Sequence, residues 1–200
     1  MVFKINNKII GIDIPIYFIA ELSCNHNGNL NEALELVRLA KESGAHAVKM
    51  QHYTGDTITL RCDNEHFKLS NTLWDDRNNL WELFDYAHTP WEWTDAIKNE
   101  CDKYNLDFFS SPFDKSAVDF LENYNIPLYK VASMEIIDIP LLKKIASTKK
   151  PVIMSTGMAS VSEIEEAIKT LKENGCPTIC LLKCTSAYPS KISDANLLTI

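Results

Sequence analysis

The stretch YKVASME, residues 129–135, begins as core and ends in charge and hydroxyl. Tyr129, Val131 and Ala132 read as buried strand, yet Lys130, Ser133 and Glu135 crowd the same few positions. A cation or carboxylate in a core is costly unless it is paired or faces a polar target. The pattern recurs along the chain. Short apolar, β-rich runs occur at YFIAELS (17–23), AVKMQHY (47–53), DFFSSP (107–112), LYKVAS (128–133), PVIMST (151–156) and TICLLKCT (178–185). Near-continuous apolar strands suit burial on both faces, as in a parallel sheet.

Between most of these runs lie helix patterns. LNEALELVRLAKESG places Leu30, Ala33, Leu34, Val37 and Ala40 on one stripe, with Gly44 as a stop. KSAVDFLENY follows the third run with Ala117, Phe120, Leu121 and Tyr124. After the fourth, Asp138 can cap a helix with Pro140 in its first turn. After the fifth, Ser160 and Glu163 form a capping box, and Gly175 ends the helix. This is βα repetition at roughly 25–30 residues per unit, typical of α/β architecture. The exception is the gap from Tyr53 to Asp107. It holds LWDDRNNLWELFDYAHTPWEW (73–93) and a helix around Asp95–Tyr104, and an insertion of this size reads as a substrate-facing loop rather than a linker.

Each run carries polar residues at or just past its C-terminal end. They are Glu21, Ser23, Asn25 and His26; Lys49 and Gln51; Ser110 and Ser111; Lys130, Ser133 and Glu135; Ser155 and Thr156; Lys183, Thr185 and Ser186. In a (β/α)8 barrel these ends ring one mouth; in an open doubly wound sheet they face the ligand crevice. The pattern leaves both open. No GxGxxG or GxxxxGK[ST] follows a strand, against a dinucleotide or P-loop site. Two lysines and several hydroxyls suit a phosphate or carboxylate, and Glu21 and Glu135 add acid/base groups. Blander roles compete. A lone strand lysine commonly snorkels, and Ser110 and Ser111 precede Pro112 as turn residues do. His26 in NHNG fits a loop or cap, His52 alternates with Gln51 toward the helices, and Trp74, Trp81, Trp91 and Trp93 fit packing. A Schiff-base role for Lys49 or Lys130 uses the same residues.

Composition narrows the classes. The 200 residues are 46% hydrophobic and 24% charged, with a formal net charge of −7. That is the balance of a globular domain and disfavours a nucleic-acid or anionic-membrane binder. The six cysteines form no CxxC pair, so Cys176, Cys180 and Cys184 in a strand-like run read as buried free thiols. Reduced thiols point to the cytoplasm. The N-terminal run, broken by Lys4, Lys8 and Asp13, makes a poor signal peptide, and no apolar run is long enough for a bilayer.

The motifs IAELSCNHNG (19–28), GAHAVKMQHY (44–53), FFSSPF (108–113), YKVASMEI (129–136), VIMSTGM (152–158) and LLKCTSAYP (181–189) together resemble the sialic acid synthase family, the phosphoenolpyruvate-condensing nonulosonate synthases. TGDTITL (54–60), residues 73–93 and LLKCTSAYP are similar to its pseudaminic acid branch. Met134 departs from that branch, which usually has an aromatic there. The resemblance implies a (β/α)8 TIM barrel, incomplete here with about six βα units. It implies that phosphoenolpyruvate joins the open-chain aldehyde of an acetamido sugar, a 2,4-diacetamido-2,4,6-trideoxy-altrose in this branch. Lys49, Lys130, Ser111, Ser133, Ser155 and Ser186 would hold phosphoenolpyruvate. Glu135 would sit at the reacting carbons, and Glu21, Gln51 and Tyr188 would line the sugar side.

The family's divalent metal (Mn, Mg or Co) is held by histidines near the last two barrel strands. All five histidines here, at 26, 46, 52, 66 and 88, lie in the first half. Its ligands are therefore expected beyond residue 200, as is the family's antifreeze-like C-terminal domain. The expectation is an N-terminal part of the catalytic barrel, inactive alone and homodimeric when full length. Legionaminate or N-acetylneuraminate synthesis is the alternative chemistry, and a non-catalytic phosphate-binding module the alternative class.

Overall fold

A computed structural model describes residues 3–69, 77–187 and 189–199. The chain opens with a hairpin that the sequence reading did not anticipate. Strands β1 (Phe3–Ile5) and β2 (Lys8–Ile10) pair antiparallel. Asn6, at φ 50°, takes the left-handed turn position that asparagine tolerates. Ile5 is buried, so the hairpin is anchored by one apolar side chain.

The chain divides into two compact units. The first, residues 17–120, holds β3 (Ile19–Glu21), α1 (Leu30–Glu42), β4 (Ala47–His52), α2 (Gly55–Ile58), α3 (Leu80–Ala87), α4 (Thr94–Lys103), β5 (Asp107–Pro112) and most of α5 (Lys115–Leu121). β4 pairs in parallel with β3 and with β5. Helix α1 follows its predicted stripe: Asn29 Oδ1 accepts the Asn31 N–H at 3.0 Å, and Ala33, Val37 and Ala40 are buried. Gly44 leaves the helix at φ +87°, a conformation a side chain would oppose.

The second unit joins the hairpin segment, residues 1–16, to residues 121–200. It holds β6 (Tyr129–Val131), α6 (Ile139–Ser147), β7 (Val152–Ser155), α7 (Val161–Glu173) and β8 (Ile179–Leu182), with β7 parallel to both β6 and β8. The two predicted caps form. Asp138 accepts the Leu141 N–H at 3.0 Å, and Ser160 with Glu163 closes a capping box. All six predicted strand runs are thus strands.

Two readings are corrected. The insertion after β4 is not a plain loop: α2 and α3 fold within it, while residues 70–76, including Trp74, lie outside the described residues. Trp81 donates to Asp56 Oδ1 at 2.8 Å, and Trp91 donates to the Tyr53 carbonyl at 3.2 Å, so both are packing residues. The thiols are free, but only Cys176 of the evenly spaced three is buried; Cys180 and Cys184 are half-exposed because β8 is less covered than β7. Among the described residues no helix is long and apolar enough to cross a membrane.

His52 faces the helices, as alternation along β4 requires. It is 1% exposed, with Nδ1 at 2.7 Å from Ser110 Oγ and Nε2 at 2.9 Å from Thr94 Oγ1. Burial lowers its pKa from 6.5 to about 4. The unfolded chain therefore binds a proton that the folded one refuses between those values, and stability falls as pH drops through this window. Chemical denaturation at pH 7 and pH 5 should show a loss of roughly 2 kcal/mol in the wild type relative to His52→Gln. Equal pH slopes in the two proteins would refute the assignment.

Candidate active site

Strand alternation decides which side chains share a face. On β4, Lys49 and Gln51 point one way while Met50 and His52 point the other. Glu21 lies opposite Lys49 in register, and Ser111 opposite Gln51. Lys49 Nζ forms an ion pair with Glu21 Oε2, and Gln51 Nε2 donates to Glu21 Oε1 at 3.4 Å. Ser111 is buried. Its neighbour Ser110 belongs to the opposite face, bound to His52. In the first unit, then, Glu21, Lys49 and Gln51 are brought together and Ser111 stands in register beside them.

The loop after β3 is unusual. Cys24, His26 and Asn27 have φ of 82°, 46° and 55°, each costly for a residue with a side chain. Thr89 Oγ1 holds the Cys24 carbonyl at 2.7 Å, and Asn25 Nδ2 bonds the Tyr86 carbonyl. His26 stays in this loop, as its NHNG context suggested. Desolvation lowers its pKa, and its Nε2 is buried without a hydrogen-bond partner.

The second unit collects the other candidates. Lys130 is the middle residue of β6 and is 6% exposed. Its ammonium donates to the Val131 carbonyl and to Ser155 Oγ, both at 2.6 Å. Ser155 ends β7, also 6% exposed, and accepts a second hydrogen bond from Cys184 Sγ at 3.2 Å. A hydroxyl has two acceptor positions and one donor. Ser155 Oγ thus lies between the Lys130 ammonium and the Cys184 thiol. Ser133 and Ser186 meet across Gly157. A Cβ built there would lie 3.0 Å from Ser133 Oγ and would overlap Ser186 Oγ.

Glu135 opens a short 3-10 turn just past β6. Burial raises its carboxyl pKa, a backbone hydrogen bond and the Lys130 charge lower it, and Asp138 raises it; Oε2 is buried without a hydrogen-bond partner. Tyr188 lies outside the described residues. Lys183 and Thr185 turn away from the serines: Lys183 Nζ bonds Thr185 Oγ1 at 2.9 Å and the Asp194 carbonyl at 3.2 Å. Sequence reasoning missed Gly157 and Cys184. VIMSTGM did carry a glycine two residues past the strand, but no local signal says that two other loops close on it. Among the described residues no three His, Cys, Asp or Glu side chains gather to hold a metal ion.

Comparison with known proteins bears on this geometry. Residues 36–200 match the model of the NeuB family. The chain is 47% identical over 186 residues to a pseudaminic acid synthase of Helicobacter pylori, covering 93% of this chain and 54% of that protein. It is 38% identical over 186 residues to an N,N'-diacetyllegionaminic acid synthase of Campylobacter jejuni, covering 90% and 54%. The crystal structure of an N-acetylneuraminic acid (sialic acid) synthetase from Leptospira borgpetersenii, in complex with citrate, superposes with a TM-score of 0.83 at 33% identity, covering 100% of this chain and 65% of that one. The chain spans about half the length of the curated relatives it matches. A phospho-2-dehydro-3-deoxyheptonate aldolase (DAHP synthase) from Thermotoga maritima shares the fold alone, at TM-score 0.65 and 14% identity. The α/β fold is therefore the expected TIM barrel, incomplete with six βα units, and the chain belongs to the NeuB family of sialic acid synthase-type proteins.

Proposed function

We propose that this chain is the phosphoenolpyruvate-binding portion of a pseudaminic acid synthase, the N-terminal part of a catalytic barrel whose remaining strands, metal ligands and antifreeze-like domain come from further sequence. The observation that carries the reading is the buried Lys130 ammonium held against Ser155 Oγ at 2.6 Å, both residues 6% exposed. A buried ammonium beside a hydroxyl suits an anion. The relatives named pseudaminic acid synthase support the choice of reaction.

In this reading Lys130, Ser133, Ser155 and Ser186 of the second unit grip phosphoenolpyruvate, and Lys49 and Ser111 of the first unit are further candidate donors to an anion. Glu21, Gln51 and Tyr188 line the side of the diacetamido sugar. The enol C3 attacks the aldehyde carbon and a C–C bond forms. Cationic character develops at C2, which takes up water, and phosphate leaves by C–O cleavage to give the 2-keto acid. Glu135 holds or moves the water's proton, a role suited to a carboxyl whose pKa burial has raised. A divalent ion, when bound, would polarise the aldehyde. The described residues offer no site for it, and no step here is routed through it. The full-length protein would work in solution in the cytoplasm as a homodimer, without nucleic acid or membrane.

The test is to give the full-length protein phosphoenolpyruvate with a panel of acetamido sugars, identifying products by mass. The altrose-configured 2,4-diacetamido sugar should be turned over best. Preference for the legionaminate precursor or for N-acetylmannosamine would reassign the branch, and no phosphate release with any sugar would remove the synthase reading. Lys130→Ala should raise KM for phosphoenolpyruvate at least tenfold; an unchanged value would contradict its place in the anion grip. Glu135→Gln should lower kcat far more than it alters phosphoenolpyruvate binding. Near-normal turnover would remove Glu135 from the chemistry.

A further inference from the structure

Gly157 sits where three strand-end loops of the second unit converge. Ser133 follows β6, Gly157 follows β7, and Cys184 and Ser186 follow β8. The space a side chain would take at Gly157 is filled from outside: Ser186 Oγ overlaps it, Ser133 Oγ is 3.0 Å away and Cys184 Cβ 3.3 Å away. The glycine is not there for backbone freedom, because its φ lies outside the left-handed range. The requirement is for space alone.

The turn that carries Gly157 has little room to retreat. Thr156 is fixed to the end of β8 twice, by N–H and by Oγ1, both to the Leu182 carbonyl at 3.2 and 2.9 Å. On the other side Met158 is held at φ +72° with its side chain 70% exposed. A methionine in that region is strained, and such strain persists only where the surroundings over-determine the backbone. A methyl group added at Gly157 therefore displaces the hydroxyls rather than the turn.

We propose that Gly157 is a positioning residue for anion capture: its missing side chain lets the Ser133 and Ser186 hydroxyls close on one point beside Ser155, so that all three donate to the same phosphate or carboxylate. The inference rests on the proposed function, since it takes the ligand to be an enol phosphate acid. It adds that the geometry of the grip is set by a residue that need not touch the ligand.

The test is a double-mutant cycle on the full-length protein, reading dissociation constants for phosphoenolpyruvate and for inorganic phosphate by calorimetry. Gly157→Ala should weaken both at least tenfold, while Tm and the KM for sugar change little. Ser186→Ala removes the atom that the new methyl would strike. Gly157→Ala/Ser186→Ala should then bind within about twofold of Ser186→Ala alone, because Gly157 acts largely through Ser186. Wild-type affinity in Gly157→Ala would overturn the proposal, as would losses in the double variant equal to the product of the two single losses. Should Gly157→Ala fail to fold, the comparison of the double variant with Ser186→Ala still decides. A wild-type protein that binds neither probe would instead overturn the functional reading on which the inference rests; intact wild-type binding with an unaffected cycle would sink the inference alone.

Discussion

A buried ammonium is the constraint on which the second unit is built. Lys130 is the middle residue of a three-residue strand and almost fully enclosed. An isolated cation there would be prohibitively costly. It is tolerated because the parallel β6–β7 pairing brings Ser155 Oγ to 2.6 Å from Nζ, and the adjacent Val131 carbonyl lies at the same distance. Ser155 Oγ and the Val131 carbonyl are two of the acceptors that stabilise the charge.

The two lysines that look alike in sequence are unlike in chemistry. Lys49 already has a carboxylate partner, Glu21, across the β3–β4 register. An anion reaching Lys49 must compete with Glu21, whereas Lys130 already holds the Ser155 hydroxyl and the Val131 carbonyl. Such a pair is screened where water reaches it, and Glu21 is 41% exposed while Lys49 is 13% exposed. The pair is thus breakable. Similar positions on β4 and β6 do not imply equivalent roles.

Much of this could be read from residue order. Strand runs, capping residues and the outward turn of His52 follow from periods of two and 3.6 and from the chemistry of Asp138 and Ser160. Those signals are local. The hairpin Phe3–Ile10 escaped because its strands are three residues long and Ile5 is its one fully buried apolar side chain. The insertion read as a loop because charge and tryptophan obscure the helix at Leu80–Ala87. Adjacent Ser110 and Ser111 could be separated only once the β4–β5 register was known. Gly157 and Cys184 were invisible for the same reason: their importance comes from contacts made by loops 24 to 29 residues away in sequence, which no local window contains.

Glu135 shows how these constraints meet. Enclosure disfavours its ionised form, Asp138 adds like charge, and Lys130 with a backbone donor favours ionisation. The carboxyl is held between opposing influences rather than locked in one state. Its Oε2 has no hydrogen-bond partner, so no strong bond must be broken before it takes or gives a proton. Anything that neutralises Lys130 shifts this balance toward the protonated form. An anion gripped by Lys130 and Ser155 would therefore raise the proton affinity of a carboxyl only five residues along the chain. In the proposed reading, capture of the ligand and protonation of Glu135 would be coupled through one buried charge.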